Sequence, residues 1–347
     1  MTIPKLSEIC SFFSGGTPSS SKKEYYDGNI PFIRSGELHE EQTELFITED
    51  GFKNSAAKMV EVGDLLLALY GATSGDIAIS KINGAINQAI LCIRTEQNKK
   101  FIESIWRKHV GKLLQTYLQG GQGNLSADIV KNISFYFSRI EEQNKLAEFV
   151  SLLDERIATQ NKIIEKYESL IKGIAHNVAR NNKPNIRLSE CLGCGSSTLQ
   201  ESNVCENGTY PVYGANGIVG YLDNYNTEKE AVYIIKDGSG VGTVSYVTGK
   251  CSATGTLNIL QAKEGYSLRY LYYLLKVFNF EPYKTGMAIP HIYFKDYGKA
   301  KIFCPSYSEQ LRYAKLLSVI DDKLSVEQNI LTSLCLQKQY LLRQMFI

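Results

Sequence analysis

Two stretches of the chain carry apolar residues at alternating steps of three and four positions. From Ile140 to about Ala179 no proline interrupts the sequence, and the apolar positions run from Val150 to Val178 with one polar step at Gln160. This heptad pattern predicts a long helix with one apolar seam. A second stretch near residue 330 repeats the pattern, with a polar step at Glu327 and another at Lys338, through the seam residues Leu317, Ile320, Leu324, Leu331, Leu334, Leu341 and Met345.

Short apolar runs between glycine-rich and polar turns predict β-strands in the rest of the chain. The predicted strands are Asp64–Tyr70, Ile77–Ser80, Ile86–Arg94 and Asn132–Phe137 in the first half, and Ala231–Ile235, Thr243–Val247, Thr256–Leu260 and Ala300–Phe303 in the second. Helices are predicted over Lys99–Leu118 and Leu268–Phe278. Strands interspersed with helices in both halves indicate an α+β fold.

The element order is the same in both halves because the sequence repeats itself. The segment Gln143–Glu155 aligns with Gln310–Asp322 at an offset of 167 residues. The same offset relates Gly71 to Gly238, whereas nearer the start it grows to 180 at Pro31/Pro211 and 182 at Leu6/Leu188. Each half therefore follows one plan, a mixed segment and then a helix, with insertions or deletions between the aligned blocks.

The polar segment Asn181–Asn185, which contains Pro184, separates the halves. We predict globular segments over residues 1–140 and 183–306, a helix and linker over 141–182, and a second helix over 307–347. Each helix must bury its apolar stripe, and two similar tandem halves favour an antiparallel coiled coil of the two helices. The alternative is that each helix packs on its own domain. In the coiled coil we expect Gln160 and Glu327 at opposite ends of the rod.

Polar, glycine-rich loops recur at matching places in both halves and have basic residues near them. Such loops can offer amides to phosphates and side chains to base edges, so they indicate nucleic-acid binding. The candidate DNA-binding residues are Ser14, Gly15, Gly16, Thr17, Lys22, Arg34, Ser35, Tyr70, Thr73, Gln122 and Asn124 in the first half, and Tyr213, Asn216, Lys236, Ser239, Lys284, His291 and Tyr293 in the second.

Composition and missing motifs narrow the function classes. The net charge of +2 is small for a protein that binds a polyanion alone, so local charge or partners must supply the rest. No apolar run is long enough for a membrane span and no signal peptide is visible, which predicts a cytoplasmic protein whose eight cysteines are free thiols. The chain lacks the Pro-Pro pair of amine methyltransferases and any Walker sequence.

Three weaker patterns suggest other chemistry. Asp64 and Asp76 are candidates for an acid/base pair, but neither has a repeated basic partner. The Cys191-x-x-Cys194 motif with nearby Cys205 lacks a fourth zinc ligand, and Gly238–Gly242 does not open a helix as a dinucleotide loop would. We therefore expect no catalytic site and no metal or cofactor bound by this chain.

The motifs together resemble the specificity subunits of type I restriction–modification systems over essentially the whole chain. The resemblance rests on Ser14–Ser19, Tyr70–Gly75, Tyr210–Gly217 and the Glu-Gln pairs that open both helices. It implies two tandem target-recognition domains joined by two conserved antiparallel helices, each domain reading one half of an asymmetric bipartite site in double-stranded DNA. The partners implied are two methyltransferase (modification) subunits and restriction/translocase subunits, which would bind S-adenosylmethionine, ATP and Mg. Candidate subunit-interface residues are Glu142, Gln143, Asp154, Glu309, Gln310 and Asp321.

One departure and two alternatives remain at this point. The first helix follows Phe137-Ser138-Arg139 without the proline that precedes the second, which predicts a different turn before it. The chain could instead be the specificity chain of another restriction–modification class, or a structural adaptor without DNA contact. A steep loss of affinity with salt would favour DNA binding over the adaptor.

Overall fold

The computed structural model describes residues 3–117, 125–286 and 289–345. These residues divide into two compact units. Unit 1 comprises Met1–Thr159 and Leu331–Ile347, and unit 2 comprises Gln160–Ile330. Each long helix therefore contributes residues to both units.

The elements that precede the first long helix, and the first half of that helix, belong to unit 1. The helices are α1 (Leu6–Ile9), α2 (Glu49–Lys53), α3 (Lys99–Tyr117), α4 (Ala127–Asn132) and α5 (Ile140–Arg180). The strands are β1 (Cys10–Ser14), β2 (Tyr26–Ile33), β3 (Phe46–Ile47), β4 (Lys58–Val60), β5 (Leu65–Ala68), β6 (Ile77–Ile79), β7 (Gly84–Ile86) and β8 (Ile90–Thr95).

The remaining elements, which follow the first long helix, repeat this plan. The helices are α6 (Leu188–Cys191), α7 (Leu268–Lys276), α8 (Phe294–Tyr297) and α9 (Tyr307–Met345). The strands are β9 (Ile186–Arg187), β10 (Leu192–Ser196), β11 (Tyr210–Gly214), β12 (Gly217–Leu222), β13 (Glu230–Ile235), β14 (Val244–Thr248), β15 (Ser252–Ala253), β16 (Leu257–Ala262) and β17 (Lys301–Ile302).

Each unit contains one four-stranded antiparallel sheet, called here the main sheet. Its strand order is β1-β8-β5-β6 in unit 1 and β10-β16-β13-β14 in unit 2. Cys10 pairs with Thr95, and Leu192 pairs with Ala262. These partners are related by the sequence offsets of 182 and 167, so the repeat read from the sequence is a repeat of the fold.

A second, mixed sheet covers one face of each main sheet. Its order is β3-β2-β7-β4 in unit 1 and β12-β11-β15 in unit 2, and each contains a parallel pair, β2–β7 in unit 1 and β11–β15 in unit 2. In unit 1 the space between the sheets is filled by Ile33, Leu66, Ile86 and Cys92, among others. In unit 2 the corresponding core contains Tyr233 and Ile259.

A helix packs on the other face of each main sheet, and its start is fixed by a capping side chain. Asn98 Oδ1 accepts from Phe101 N at 3.0 Å to begin α3, and Ser267 Oγ accepts from Tyr270 N at 3.3 Å to begin α7. Trp106 of α3 is fully buried, and its indole N–H donates to Gly75 O at 2.8 Å. Burial of a side chain of this size contributes about 1.5–3 kcal/mol or more.

The two long helices pair antiparallel along the predicted seams, and the α+β fold with a coiled coil is confirmed. In unit 2, Gln160 of α5 lies against Glu327 of α9, while Ile171 lies near Asp321 and Leu324. In unit 1, Lys338 forms an ion pair with Asp154. The partner's number on α9 therefore falls as the number on α5 rises.

The prediction that Gln160 and Glu327 lie at opposite ends of the rod is wrong. The Gln160 amide donates to the backbone O of Glu327 at 3.0 Å and to its carboxylate. These residues are equivalent positions of the repeat, and an antiparallel pair of equivalent helices brings equivalent residues together at its midpoint. The polar steps thus satisfy each other instead of each facing an apolar stretch.

Two strand predictions also need correction. Asn132–Phe137 is not a strand, because Ser126 caps α4 up to Asn132 and the alternating Ile133 and Phe135 are buried core residues of a segment with one isolated bridge at Ser134. Ile86–Arg94 is not one strand but the end of β7 and most of β8, which belong to different sheets. Asn87 Oδ1 accepts from Ala89 N at 3.0 Å in the turn between them.

Candidate nucleic-acid interface

The polar loops of unit 1 leave the main sheet at one edge. Ser14 at the end of β1 pairs with Leu91, and Ala68 at the end of β5 pairs with Ile90. The loop after Ile33 lies at the same edge. This is because β2 runs parallel to β7, and the end of β7 leads directly into the start of β8. We call this edge the loop edge of unit 1, and it gathers Ser14, Gly15, Gly16, Thr17, Arg34, Ser35, Tyr70 and Thr73.

The candidate residues of unit 2 converge in the same way. Ser196 pairs with Asn258 and Ile235 with Leu257, so β10 and β13 end where β16 begins. Ile292 N donates to Lys236 O at 2.9 Å, and Thr285 N donates to His291 O at 2.9 Å. The loop edge of unit 2 therefore gathers Asn216, Lys236, Ser239, Lys284, His291 and Tyr293.

Among the described candidates of the first half, one lies away from this edge. Lys22 precedes the start of β2, at the other end of that strand from Arg34, and its ammonium donates to Tyr25 Oη at 2.9 Å. This hydrogen bond raises the pKa of Lys22. Gln122 and Asn124 lie outside the described residues.

Contacts within the chain explain the residue type at some of the predicted positions. A side-chain carbon at Gly15 would come within 1.7 Å of Ile86 O, so the strand turn requires glycine there. Thr17 beside it donates to Gln88 Oε1 at 2.6 Å. Tyr213 is half-buried with its ring centroid 5.8 Å from that of Tyr233, and burial raises its pKa.

Arg34 is held by two carboxylates. Its guanidinium lies 2.8 Å from Glu37 Oε1 and 2.9 Å from Glu44 Oε2, and Glu37 also accepts from Arg34 N at 3.0 Å. Burial alone would raise the pKa of Glu37, but the hydrogen bonds from Arg34, Glu44 N and Thr43 lower it to about 2. The hydrogen bonds from the guanidinium to Glu37 and to the Glu44 carboxylate raise the pKa of Arg34. The arginine is therefore preorganised, half-exposed and partly neutralised.

Each loop edge carries one histidine–aspartate pair. His39 Nε2 lies 2.8 Å from Asp76 Oδ2 in unit 1, and His291 Nδ1 lies 2.6 Å from Asp237 Oδ1 in unit 2. Asp76 lies in the turn that joins β5 to β6, and Asp237 lies in the equivalent turn that joins β13 to β14. Sequence reasoning missed His39 because its partner is 37 residues away and no local motif joins them.

Two further groups at the loop edge of unit 2 have their geometry set by neighbours. Lys284 forms an ion pair of 2.6 Å with Glu281. Tyr293 is 47% exposed and has the Lys295 ammonium 5.2 Å from its ring centroid. An exposed aromatic ring beside a cation suits contact with the backbone and sugars of a polyanion.

The predicted subunit-interface residues divide into buried and exposed groups. Gln143 and Gln310 are buried, and their amides donate to Ser138 O at 2.8 Å and Pro305 O at 2.9 Å. The turn before the first long helix thus has the same glutamine-to-backbone hydrogen bond as the turn before the second, although it lacks the proline. These two glutamines serve inside the chain, where their carbonyls also accept from Asn98 N and Ser267 N, and present no surface to a partner.

The other four residues predicted for the subunit interface differ in exposure. Glu142 and Glu309 are exposed, and Glu309 accepts from Ser306 Oγ at 2.7 Å. Asp154 lies between Lys100 and Lys338, and burial would raise its pKa but these two ammonium groups lower it. Asp321 accepts from Tyr273 Oη at 3.2 Å.

Beside the buried seam, each long helix carries an exposed apolar stripe. On α5 it includes Phe149 and Leu152, and on α9 the equivalent positions are Leu316 and Val319, at the same offset of 167. These four side chains are 39–57% exposed. On α9 the stripe continues through Val326 and Ile330. Such repeated apolar exposure on a surface helix is typical of a protein–protein interface.

The alternative chemistries find little support in the geometry. Asp64 is bound by Arg94 at 2.7 Å beside the start of β5, whereas Asp76 lies at the other end of the β5–β6 pair, so they do not form one acid/base cleft. Cys191 is buried in α6, and the backbone of Cys205 forms an isolated β-bridge with that of Tyr221. Within the described ranges, no three His, Cys, Asp or Glu side chains are placed to hold a metal ion. Among the helices in these ranges, none has the length and apolar character needed to cross a membrane.

Residues 1–169 and 188–335 match the family model of the type I restriction modification DNA specificity domain. The type I restriction enzyme EcoprrI specificity subunit of Escherichia coli is 22% identical over 357 residues, which cover 91% of this chain and 86% of that protein. A putative type I specificity subunit of Haemophilus influenzae is 30% identical over 123 residues, or 35% of this chain and 32% of that protein. The S subunit of a type I restriction-modification system from M. genitalium has a similar fold, with a TM-score of 0.68, 19% identity and coverage of 100% of this chain and 96% of its own.

Proposed function

The chain belongs to the family of the type I restriction modification DNA specificity domain, and from this premise we propose that it reads the DNA target of a restriction–modification complex and catalyses no reaction itself. In this proposal each unit reads one half of a bipartite, asymmetric site in double-stranded DNA. The bond-making chemistry belongs to partner subunits.

The observation that carries the proposal is the convergence of polar loops at one edge of the same scaffold in both units. Loops on a rigid sheet can offer backbone amides and cations to phosphates while a few side chains reach base edges. Conserving the sheet registers between the units keeps that presentation the same.

The two loop edges differ in the side chains that they present. Unit 1 presents the Arg34–Glu37 clamp, and an arginine fork suits the acceptor pair of guanine in the major groove. Unit 2 presents Asn216 and the His291–Asp237 pair, which offer different donors and acceptors. Different readers on one scaffold imply two different half-site sequences.

The exposed stripes on α5 and α9 suit two copies of one partner. Phe149 and Leu152 are equivalent to Leu316 and Val319, so the chain offers the same kind of apolar surface twice. A restriction–modification complex with two modification subunits needs two such surfaces. Restriction/translocase subunits would join that complex for cleavage.

Partners also account for the small net charge and for the chemistry. A chain with a charge of +2 gains phosphate contacts when basic partners complete the DNA-binding surface. S-adenosylmethionine would bind the modification subunits, and ATP and magnesium the restriction subunits. The residues of this chain then act only through the sequence and position of the DNA that they hold.

Reconstitution tests this function. The chain is combined with its modification subunits, and binding to genomic DNA fragments and methyl transfer are measured from 50 to 200 mM salt, with the modification subunits alone and the chain alone as controls. We expect sequence-specific methylation only in the combination, with affinity falling steeply as salt rises because phosphate contacts release counterions. Methyl transfer by the chain alone, or sequence-specific methylation without the chain, contradicts the proposal.

A further inference from the structure

Unit 1 contains an open apolar cavity of about 340 Å³ beside the first turns of α5. Its walls come from α3, the segment before α5, α5 itself and the last turn of α9. The lining residues are Phe101, Ile105, Tyr136, Ser138, Glu142, Lys145, Leu146 and Met345. The cavity is large enough for an aromatic side chain.

One polar atom in the wall points to what the cavity accepts. The Ser138 hydroxyl oxygen is buried and, alone among the buried side-chain N and O atoms of the described ranges, has no hydrogen-bond partner. Buried hydroxyl groups nearly always have a partner, because an unmade hydrogen bond is costly in a site removed from water. An occupant with a hydroxyl group would satisfy Ser138.

The other repeat shows this same place already filled. Tyr270 is equivalent to Phe101, since each is the third residue of its helix and donates its backbone N–H to the capping side chain. Tyr313 is equivalent to Leu146, three residues after the buried glutamine that opens each long helix. The Tyr270 and Tyr313 rings lie 6.2 Å apart, and Tyr270 Oη donates to Phe303 O at 3.0 Å.

The cavity opens next to the exposed stripe of α5. Its rim residues Glu142 and Lys145 precede Phe149 and Leu152 by steps of three, four and three, which places all four on one face of the helix. Glu142, Lys145, Phe149 and Leu152 are all exposed. A partner that covers the stripe on unit 1 therefore also covers the mouth of the cavity.

We infer that this cavity receives a tyrosine-type side chain from a modification subunit, and that the two copies of this subunit bind the chain with unequal affinity. The inference rests on the proposed function, because it presupposes that modification subunits cover the stripes. The copy at unit 1 gains an aromatic anchor in a pocket, and an anchor of this kind commonly dominates binding energy. The copy at unit 2 finds the pocket occupied by Tyr270 and Tyr313.

The test is to fill the cavity as the second repeat fills it, with the double variant Phe101→Tyr/Leu146→Tyr. Titration of the modification subunit, followed by calorimetry and native mass spectrometry, should show two unequal steps for the unaltered chain. In the filled variant the tighter step should weaken about 30-fold, the fold-change of a typical hot-spot loss, until both steps are similar. Leu146→Phe, a milder filling, should weaken the same step less and covers the case in which the double variant does not fold.

The matched control is Leu336→Tyr, the same kind of change at a 61%-exposed position of α9 outside the cavity. It should leave both steps unchanged. Two equal steps for the unaltered chain, or an unweakened tight step in folded filled variants, overturn the inference. Deleting Phe346 and Ile347, which lie outside the described residues, should not strengthen either step; a strengthened first step would mean that the chain's own end competes for the cavity. Failure of the proposed function looks different, because the unaltered chain would then bind no modification subunit.

Discussion

At the scale of single residues, the candidate interface consists of charged groups fixed by their neighbours. Arg34 is held by Glu37 and Glu44, and His291 by Asp237. Holding a side chain in place before DNA arrives lowers the entropy lost on binding, although each counter-charge also reduces the attraction to phosphate. Such groups suit the reading of base edges more than general phosphate binding.

The ion pair at Glu37 makes part of the stability of unit 1 depend on pH. The pKa of Glu37 is lowered from 4.5 to about 2 in the folded chain, so ionised Glu37 favours folding above pH 4.5 and this contribution is lost as pH falls toward 2. We expect Glu37→Gln to lower the melting temperature at pH 7, with the difference shrinking between pH 4.5 and 2. Thermal melts measure it, with Glu40→Gln in the same loop as control. A difference that stays constant down to pH 2 argues against the ion pair.

The loop-edge residues should act on separate half-sites. We expect Arg34→Ala to cost about 1–3 kcal/mol of DNA affinity and to relax only the half-site read by unit 1, if the arginine reads a base. His291→Ala should relax only the other half-site. Competition binding against DNA sites altered in one half at a time measures both effects. Unchanged affinity and unchanged methylation motif in Arg34→Ala would remove this residue from the interface.

At the scale of elements, the polar pair inside the coiled coil defines how the helices align. Gln160 is 3% exposed and donates to the half-buried Glu327, so a shift by one heptad would separate the two groups and leave the buried Gln160 without this partner. A polar pair in a mainly apolar seam is a recognised means of fixing register. The pair therefore contributes to alignment more than to net stability.

This role predicts opposite results for single and double substitutions. Gln160→Leu alone should destabilise the chain by about 1–3 kcal/mol, because it leaves the Glu327 carboxylate unpaired in the seam. The double variant Gln160→Leu/Glu327→Leu should be as stable as the unaltered chain or more so. Denaturant unfolding gives both values. Equal losses from the single and the double variant would show that the pair is not coupled.

The length of the helices should set the gap between the half-sites. Inserting one heptad next to Gln160 in α5 and one next to Glu327 in α9 keeps every seam residue in register and adds about 10 Å of helix. At 3.4 Å per base pair, the unspecified gap should grow by roughly one to three base pairs. Inserting two residues in each helix should rotate the seam by about 200° and abolish assembly. Mapping methylated sites measures the gap. An unchanged gap in the variant with the heptad insertions would mean that helix length does not set the distance between the half-sites.

The periodicity of apolar residues predicted the helices and strands that bury a whole face. It failed where tertiary contacts determine the conformation of a segment. Both long helices and the strands around Leu66 and Val232 follow from local pattern alone. The segment Asn132–Phe137 alternates like a strand, but its apolar residues fill the core below α3 without a neighbouring strand to pair with. The His39–Asp76 pair joins residues from two separate loops, which no local pattern shows.

At the scale of the whole molecule, the chain is one scaffold used twice with different loops. The registers of the main sheets agree between the repeats, whereas the residues at the loop edges do not. One copy of the cavity beside the long helices is open and the other is filled by tyrosines. The repeat therefore conserves presentation and varies what is presented, which is the property needed to read an asymmetric site.

The most direct test of this account is to replace residues 187–300 with the corresponding segment of another family member and map every methylated site in the genome. The exchange points are close in space, because Arg187 pairs with Lys301 in the β9–β17 ladder, so the replacement should fold on the remaining scaffold. The account predicts that one half-site takes the sequence of the donor while the other half-site stays as it was. A change in both half-sites, or in neither while methylation persists, would contradict independent reading by the two units.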